Sequence, residues 1–193
     1  MRHPHAARAQ LSDVLTLSTD GPLATQAMGE ALGALLAAGD VVLLSGELGS
    51  GKTVFVQGLA KGLGLRGAVK SPTFTLVHEH HAKAWPGART DLAHLDLYRL
   101  EDGRVSDLGL DEFLEHGVVA AEWGERLASA FPDHVHVILA VPDDDGTGTR
   151  RKVRVEARGP RGRAVVAAFA ARELSPEPPT SPAPPATHAG GAA

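Results

Sequence analysis

The stretch VVLLSGELGSGKTVFVQGLAKGLG, residues 41–64, decides the fold. Val41–Ser45 is a continuous apolar run closed by a serine, as expected of a strand buried on both faces. Thr53–Leu63 sets Phe55, Leu59 and Leu63 along one side of a helix. Between them Gly46, Gly51, Lys52 and Thr53 occupy the fixed positions of G-x-x-x-x-G-K-[ST], the phosphate-binding Walker A loop. The glycines, with Gly49 as an extra one, let backbone N–H groups point inward at phosphate oxygens. The helix start adds its positive dipole end. Lys52 is suited to the β- and γ-phosphates, and the Thr53 hydroxyl to Mg²⁺. The pattern alone arises by chance in roughly one per cent of chains this long. A strand before it and an amphipathic helix after it make it far more specific.

Working outward, Val14–Leu17 reads as a short strand and residues 19–38 as a helix stopped by Gly39. Further strands are expected at Phe74–Glu79, Leu92–Leu97, Val118–Glu122 and Val135–Val141. A DDDGTG turn at 143–148 should close a hairpin with Lys152–Ala157, and Arg161–Glu173 reads as a last helix. Alternating strands and helices argue an α/β fold, a three-layer sandwich around a mainly parallel sheet with an antiparallel edge hairpin. In the RRKVR run at 150–154, charge alternates with valine as on an exposed edge strand.

Composition bounds the rest. The chain has 193 residues, which suits one domain spanning residues 11–174. Residues 1–10 read as a flexible leader. Residues 175–193 hold six of the 13 prolines and read as a disordered tail. The formal charge of −4 argues against an extended basic surface for nucleic acid. With no cysteine, disulfides and Cys-ligated zinc or iron–sulfur centres are excluded. No apolar run approaches a membrane span, and the N-terminus lacks a secretory signal's apolar region, so a cytoplasmic protein is expected. The chain also has no asparagine, which excludes the Asn-Lys-x-Asp element of guanine readers and favours adenine, hence ATP or ADP.

A Walker loop needs an acid at a neighbouring strand end to hold Mg²⁺. Asp96 ends LAHLD and Glu122 ends GVVAAE, and the sequence leaves the choice open. Trp123, next in line, would lie on the ligand side of a parallel sheet, either stacked on a base or packed into the core. No glutamine follows either acid to orient water, so intrinsic hydrolysis should be slow. HEHH at 78–81 reads as a solvated strand end in preference to a metal site, since His78 and His80 share one face and Glu79 and His81 the other.

GELGSGKT, then VKSPTFTLVHE at 69–79, HLDLYRL at 94–100 and GVVAAEWGERL at 117–127, together resemble the TsaE (formerly YjeE) family. The resemblance spans about residues 12–140. It implies a P-loop ATPase serving threonylcarbamoylation of the adenosine beside the tRNA anticodon. It implies binding to the TsaB–TsaD pair, with tRNA an indirect partner and no membrane. By the same resemblance Gly46, Glu47, Leu48, Gly49, Ser50, Gly51, Lys52 and Thr53 hold the phosphates. Thr53 contacts Mg²⁺, Glu122 positions Mg²⁺ or water, and Asp96 is a catalytic or Mg²⁺-linked acid. Trp123 lies on or near adenine, and Thr73 in a switch-like loop near the γ-phosphate. Arg99 either pairs with an acid or faces the partner. Val54 departs from the family, which often carries a second Ser or Thr there. Two other functions fit a short P-loop chain. One is a small-molecule kinase, although only Lys83–Arg89 is long and irregular enough for a lid. The other is a nucleotide-gated binding module.

Overall fold

The structure, a computed structural model, describes residues 13–67, 69, 72, 76–99, 108–143 and 148–174. Thr73, the leader, the tail, the start of the expected 74–79 strand and most of the 143–148 turn lie outside the described residues. Seven strands form one sheet: β1 (Val14–Asp20), β2 (Val41–Ser45), β3 (Val77–His80), β4 (Asp91–Asp96), β5 (Gly117–Glu122), β6 (His134–Ala140) and β7 (Arg150–Arg158). Their order is β1-β7-β6-β2-β5-β4-β3. The four central strands, β6, β2, β5 and β4, run parallel, and the outer pairings are antiparallel.

Burial explains the middle of this order. Val41–Leu44 and all of β5 are buried, so each must lie between neighbours and beneath both covering layers. On one side α1 (Gly21–Gly33), α2 (Lys52–Gly62) and α4 (Gly159–Leu174) cover Val42, Leu44, Val118, Ala120, Val137 and Val155. On the other side α3 (Leu110–Leu114) and a 3-10 turn at Gly124–Leu127 cover Val41, Leu43, Leu95 and Val119. The helices α1 and α2 touch almost backbone to backbone. A Cβ on Gly58 would sit 2.1 Å from the Gln26 carbonyl oxygen, so the glycine that weakens α2 as an isolated helix is what lets it dock.

The α/β class and the parallel centre agree with the sequence reading, and three details correct it. The strand at Arg150–Arg158 is not an edge strand: β1 pairs with it residue for residue from Val14 opposite Glu156 to Asp20 opposite Arg150. A strand with one bare face is polar on that face wherever it stands, so alternation could not reveal its neighbour. Residues 19 and 20 belong to β1, and α1 starts at Gly21 with Pro22 in its first turn and ends at Gly33. The turn to β2 is held instead by Asp40, whose Oδ2 accepts the Ala37 N–H at 2.8 Å. At the opposite edge β3 pairs antiparallel with β4. Helix α3 is only five residues long, too short for a periodic pattern to mark.

Candidate functional site

The loop after β2 wraps the start of α2 with three positive φ angles: 143° at Gly46, 78° at Gly49 and 103° at Gly51. Gly46 is under the strictest demand, because a Cβ there would lie 2.2 Å from the Leu139 carbonyl oxygen and 2.7 Å from Ser50 Oγ. Ser50 is fully buried and its hydroxyl has no hydrogen-bond partner. Glu47, Leu48 and Gly49 form the exposed tip, and Leu48 is 83% exposed. Arg151 of β7 braces the loop from behind. Its Nε donates to the Ser50 carbonyl at 2.9 Å and its Nη2 to the Gly49 carbonyl at 3.3 Å.

Lys52 opens α2 and is buried. Its ammonium donates to the Gly46 and Glu47 carbonyls at 2.7 and 2.9 Å and lies 4.0 Å from the centre of the Trp123 ring. Burial pulls its pKa below the ordinary lysine value, against the attraction of Glu122, Asp96 and Glu125. Thr53, one residue on, donates its hydroxyl to Glu122 Oε1 at 2.8 Å. Asp96 and Glu122 are register partners at the carboxyl ends of β4 and β5, and both are buried. The Tyr98 N–H donates to Asp96 Oδ1 at 3.1 Å.

Trp123 leaves β5 with φ of 57° in the left-handed region, a conformation that costs a non-glycine residue about 1 kcal/mol or more. That turn holds the indole over Lys52 and 5.0 Å from the Tyr98 ring. Together these groups line a cleft of about 410 Å³, with Leu48, Gly49, Gly51, Val54 and Arg99 also on its walls. Val54 further borders a smaller hollow of about 220 Å³ with Pro22, Thr25, Thr149 and Arg151. The structure therefore brings Gly49, Gly51, Lys52, Thr53, Asp96, Glu122 and Trp123 to one cleft.

The donor set suits the expected ligands. A hydroxyl and two carboxylates are hard oxygen donors of the kind Mg²⁺ selects. A positive-φ loop too tight for a Cβ at Gly46 is the shape in which backbone N–H groups can cradle phosphate.

Residues missed by the sequence reading also meet here. His94 is fully buried, and its Nε2 lies 2.9 Å from Glu122 Oε1. The H-x-D spacing in HLD was a usable signal, because alternate strand residues share a face. Tyr98 belongs to the cleft as well. Arg151 had no local signal, being 101 residues from Ser50.

Behind the loop strand, Ser45 Oγ donates to Glu125 Oε2 at 2.6 Å and accepts from His136 Nε2 at 2.8 Å. Burial holds His136 below the usual histidine pKa. The irregular 83–89 stretch is far from the phosphate loop. Arg89 donates to the Gly33 and Gly62 carbonyls at the carboxyl ends of α1 and α2. The rings of His78 and His80 share a face at 4.8 Å, and among the described residues no cluster of three or more metal-ligating side chains forms.

Residues 19–153 match the profile of the family described as threonylcarbamoyl adenosine biosynthesis protein TsaE. Relatives named tRNA threonylcarbamoyladenosine biosynthesis protein TsaE include one from Nostoc sp., 43% identical over 122 residues that span 61% of this chain and 72% of the relative. Another, from Mycobacterium tuberculosis, is 42% identical over 135 residues, 66% of this chain and 79% of the relative. A third, from Bacillus subtilis, is 38% identical over 129 residues, 66% and 78% of the two chains. The crystal structure of YdiB from Bacillus subtilis superposes with a TM-score of 0.69 at 28% identity, covering 86% of this chain and 99% of that one.

Proposed function

This chain belongs to the TsaE family of threonylcarbamoyl adenosine biosynthesis proteins, and from that premise we propose that it is the ATP-binding and ATP-hydrolysing subunit for threonylcarbamoylation of tRNA, acting on the TsaB–TsaD pair. The observation that carries the ATPase reading is the convergence of Lys52, Thr53, Asp96 and Glu122 around a Walker loop. In this reading residues 11–174 are the ATPase domain, and it works in the cytoplasm. Among the described residues no helix is long and apolar enough to cross a membrane.

The geometry supports these roles in the proposal. Lys52 exchanges its two carbonyl partners for the β- and γ-phosphates. The loop N–H groups hold the phosphates, and Thr53 with Glu122 and Asp96 would hold Mg²⁺. When bound, Mg²⁺ supplies neutralisation of the charge on the phosphate oxygens. Glu122 orients the attacking water, and Trp123 packs over Lys52 and against the nucleotide. No glutamine follows either acid, which supports slow hydrolysis alone and acceleration by the partner.

The test is reconstitution with the TsaB–TsaD pair and with TsaC, the enzyme of this pathway that makes threonylcarbamoyl-adenylate. Glu122→Gln should bind ATP, lose hydrolysis and stop tRNA modification after about one turnover per complex. Multiple turnover without this protein, or with the Glu122→Gln variant, would refute the proposal. A phosphorylated small molecule recovered from the same assay would make the chain a kinase.

A further inference from the structure

His94 contributes to the site in a way its position in the core disguises. It lies on β4 two residues before Asp96, on the face toward α2, and is completely buried. Its Nε2 is 2.9 Å from Glu122 Oε1, the same oxygen that accepts the Thr53 hydroxyl at 2.8 Å. Its Nδ1 is buried and has no hydrogen-bond partner. That asymmetry assigns the tautomer: the proton sits on Nε2, where a carboxylate accepts it, and the bare lone pair sits on Nδ1. A proton on Nδ1 would be stranded in the interior with no acceptor.

Glu122 is thereby pinned through one oxygen by two donors from two different elements, β4 and α2. A glutamate side chain otherwise loses rotamer entropy on being fixed. Pinning Oε1 leaves Oε2 as the oxygen presented to the cleft that Glu122 lines. An apolar residue at 94 would fill the same space while leaving the buried carboxylate held by Thr53 alone.

We propose that His94 is a positioning residue: through Nε2–H it holds Glu122 so that Oε2 faces the reacting water in the cleft. The proposal rests on the ATPase reading above. Its test separates the two ideas by using His94→Leu, which removes the donor, and His94→Gln, whose amide can place an N–H near the position of Nε2.

In the presence of TsaB–TsaD, His94→Leu should lower kcat about 10- to 100-fold, with the Kd for ADP, followed by tryptophan fluorescence, changing less than about threefold. His94→Gln should recover most of the lost kcat. A kcat for His94→Leu within about twofold of the parent would overturn the proposal, as would a loss that His94→Gln fails to rescue.

Without nucleotide or Mg²⁺, melting temperatures of His94→Leu, Glu122→Leu and the double variant should depart from additivity by about 2 °C or more, because leucine at 122 has no oxygen to accept the Nε2–H. Additive shifts would refute the anchoring by themselves. Absence of any ATP hydrolysis by the parent protein would instead refute the ATPase reading, and with it the purpose assigned to His94.

Discussion

Consider replacement of Arg151 by methionine, which keeps the aliphatic stem and removes the guanidinium. Arg151 donates to the Ser50 carbonyl at 2.9 Å and, more weakly, to the Gly49 carbonyl at 3.3 Å. It is fastened at its own end by Nη1 to the Gly148 and Arg150 carbonyls at 2.9 and 2.7 Å. The guanidinium thus ties the phosphate loop to β7, across the sheet from the acids. A hydrogen bond to a charged donor contributes about 1.5–3 kcal/mol, and partial exposure with one long bond puts the pair near the low end, about 2 kcal/mol. Were all of that spent on ordering the loop before nucleotide arrives, the Kd for ADP would rise about 30-fold.

Titration of Trp fluorescence with ADP measures the Kd, and a thermal melt of the nucleotide-free protein reports how much of the energy is lost from the fold instead. The expected pattern is weaker ADP binding with a melting temperature lowered by no more than about 4 °C. Arg151→Lys should recover little, because an ammonium cannot span both carbonyls in the guanidinium's fork geometry. An Arg151→Met protein that binds ADP within about twofold of the parent would refute the reasoning.

Three further outcomes follow from the same geometry. Gly46→Ala should weaken ADP binding about 30-fold or more in an equilibrium titration, because the methyl would meet the Leu139 carbonyl at 2.2 Å and the loop must deform. Arg161→Met should cost about 2 kcal/mol, or about 6 °C in a melt, since it strips Asp40 of a guanidinium that donates at 2.8 and 2.7 Å. His80 is held neutral down to a pKa of about 4, first by burial and then by the neighbouring His78 and His81. The unfolded chain takes up that proton near 6.5 and the folded one does not, so stability should fall as pH drops from about 6.5 toward 4. Melts across that range should flatten in His80→Gln, and an unchanged slope would count against the assignment.

The strand–loop–helix unit was legible because its signals are local. An apolar run, glycines at turns of positive φ and a helical stripe each need only neighbouring residues to be recognised, and β2 begins and ends at the expected residues. The late hairpin was legible for the same reason. Helix α1 was overextended because its apolar spacing continues through Leu35 and Leu36, and Leu36 is indeed buried at 2% exposure. Periodicity registered the burial, whereas Asp40, bound to Arg161 121 residues away, determines how the chain turns. The two acids at strand ends were visible as candidates, yet which faces they shared with which partners was not.

The sequence by itself determined the phosphate loop, the strand before it and the helix after it, since each rests on dihedral preferences and contacts within one or two turns of chain. Only the tertiary structure decided that β7 sits between β1 and β6, that Thr53 and His94 meet on one oxygen of Glu122, and that Arg151 closes on the loop from behind. The side-chain contacts among these join residues 28 to 101 positions apart. They depend on strand order and register, which come from burying two faces of one sheet at once and leave no periodic trace in the chain.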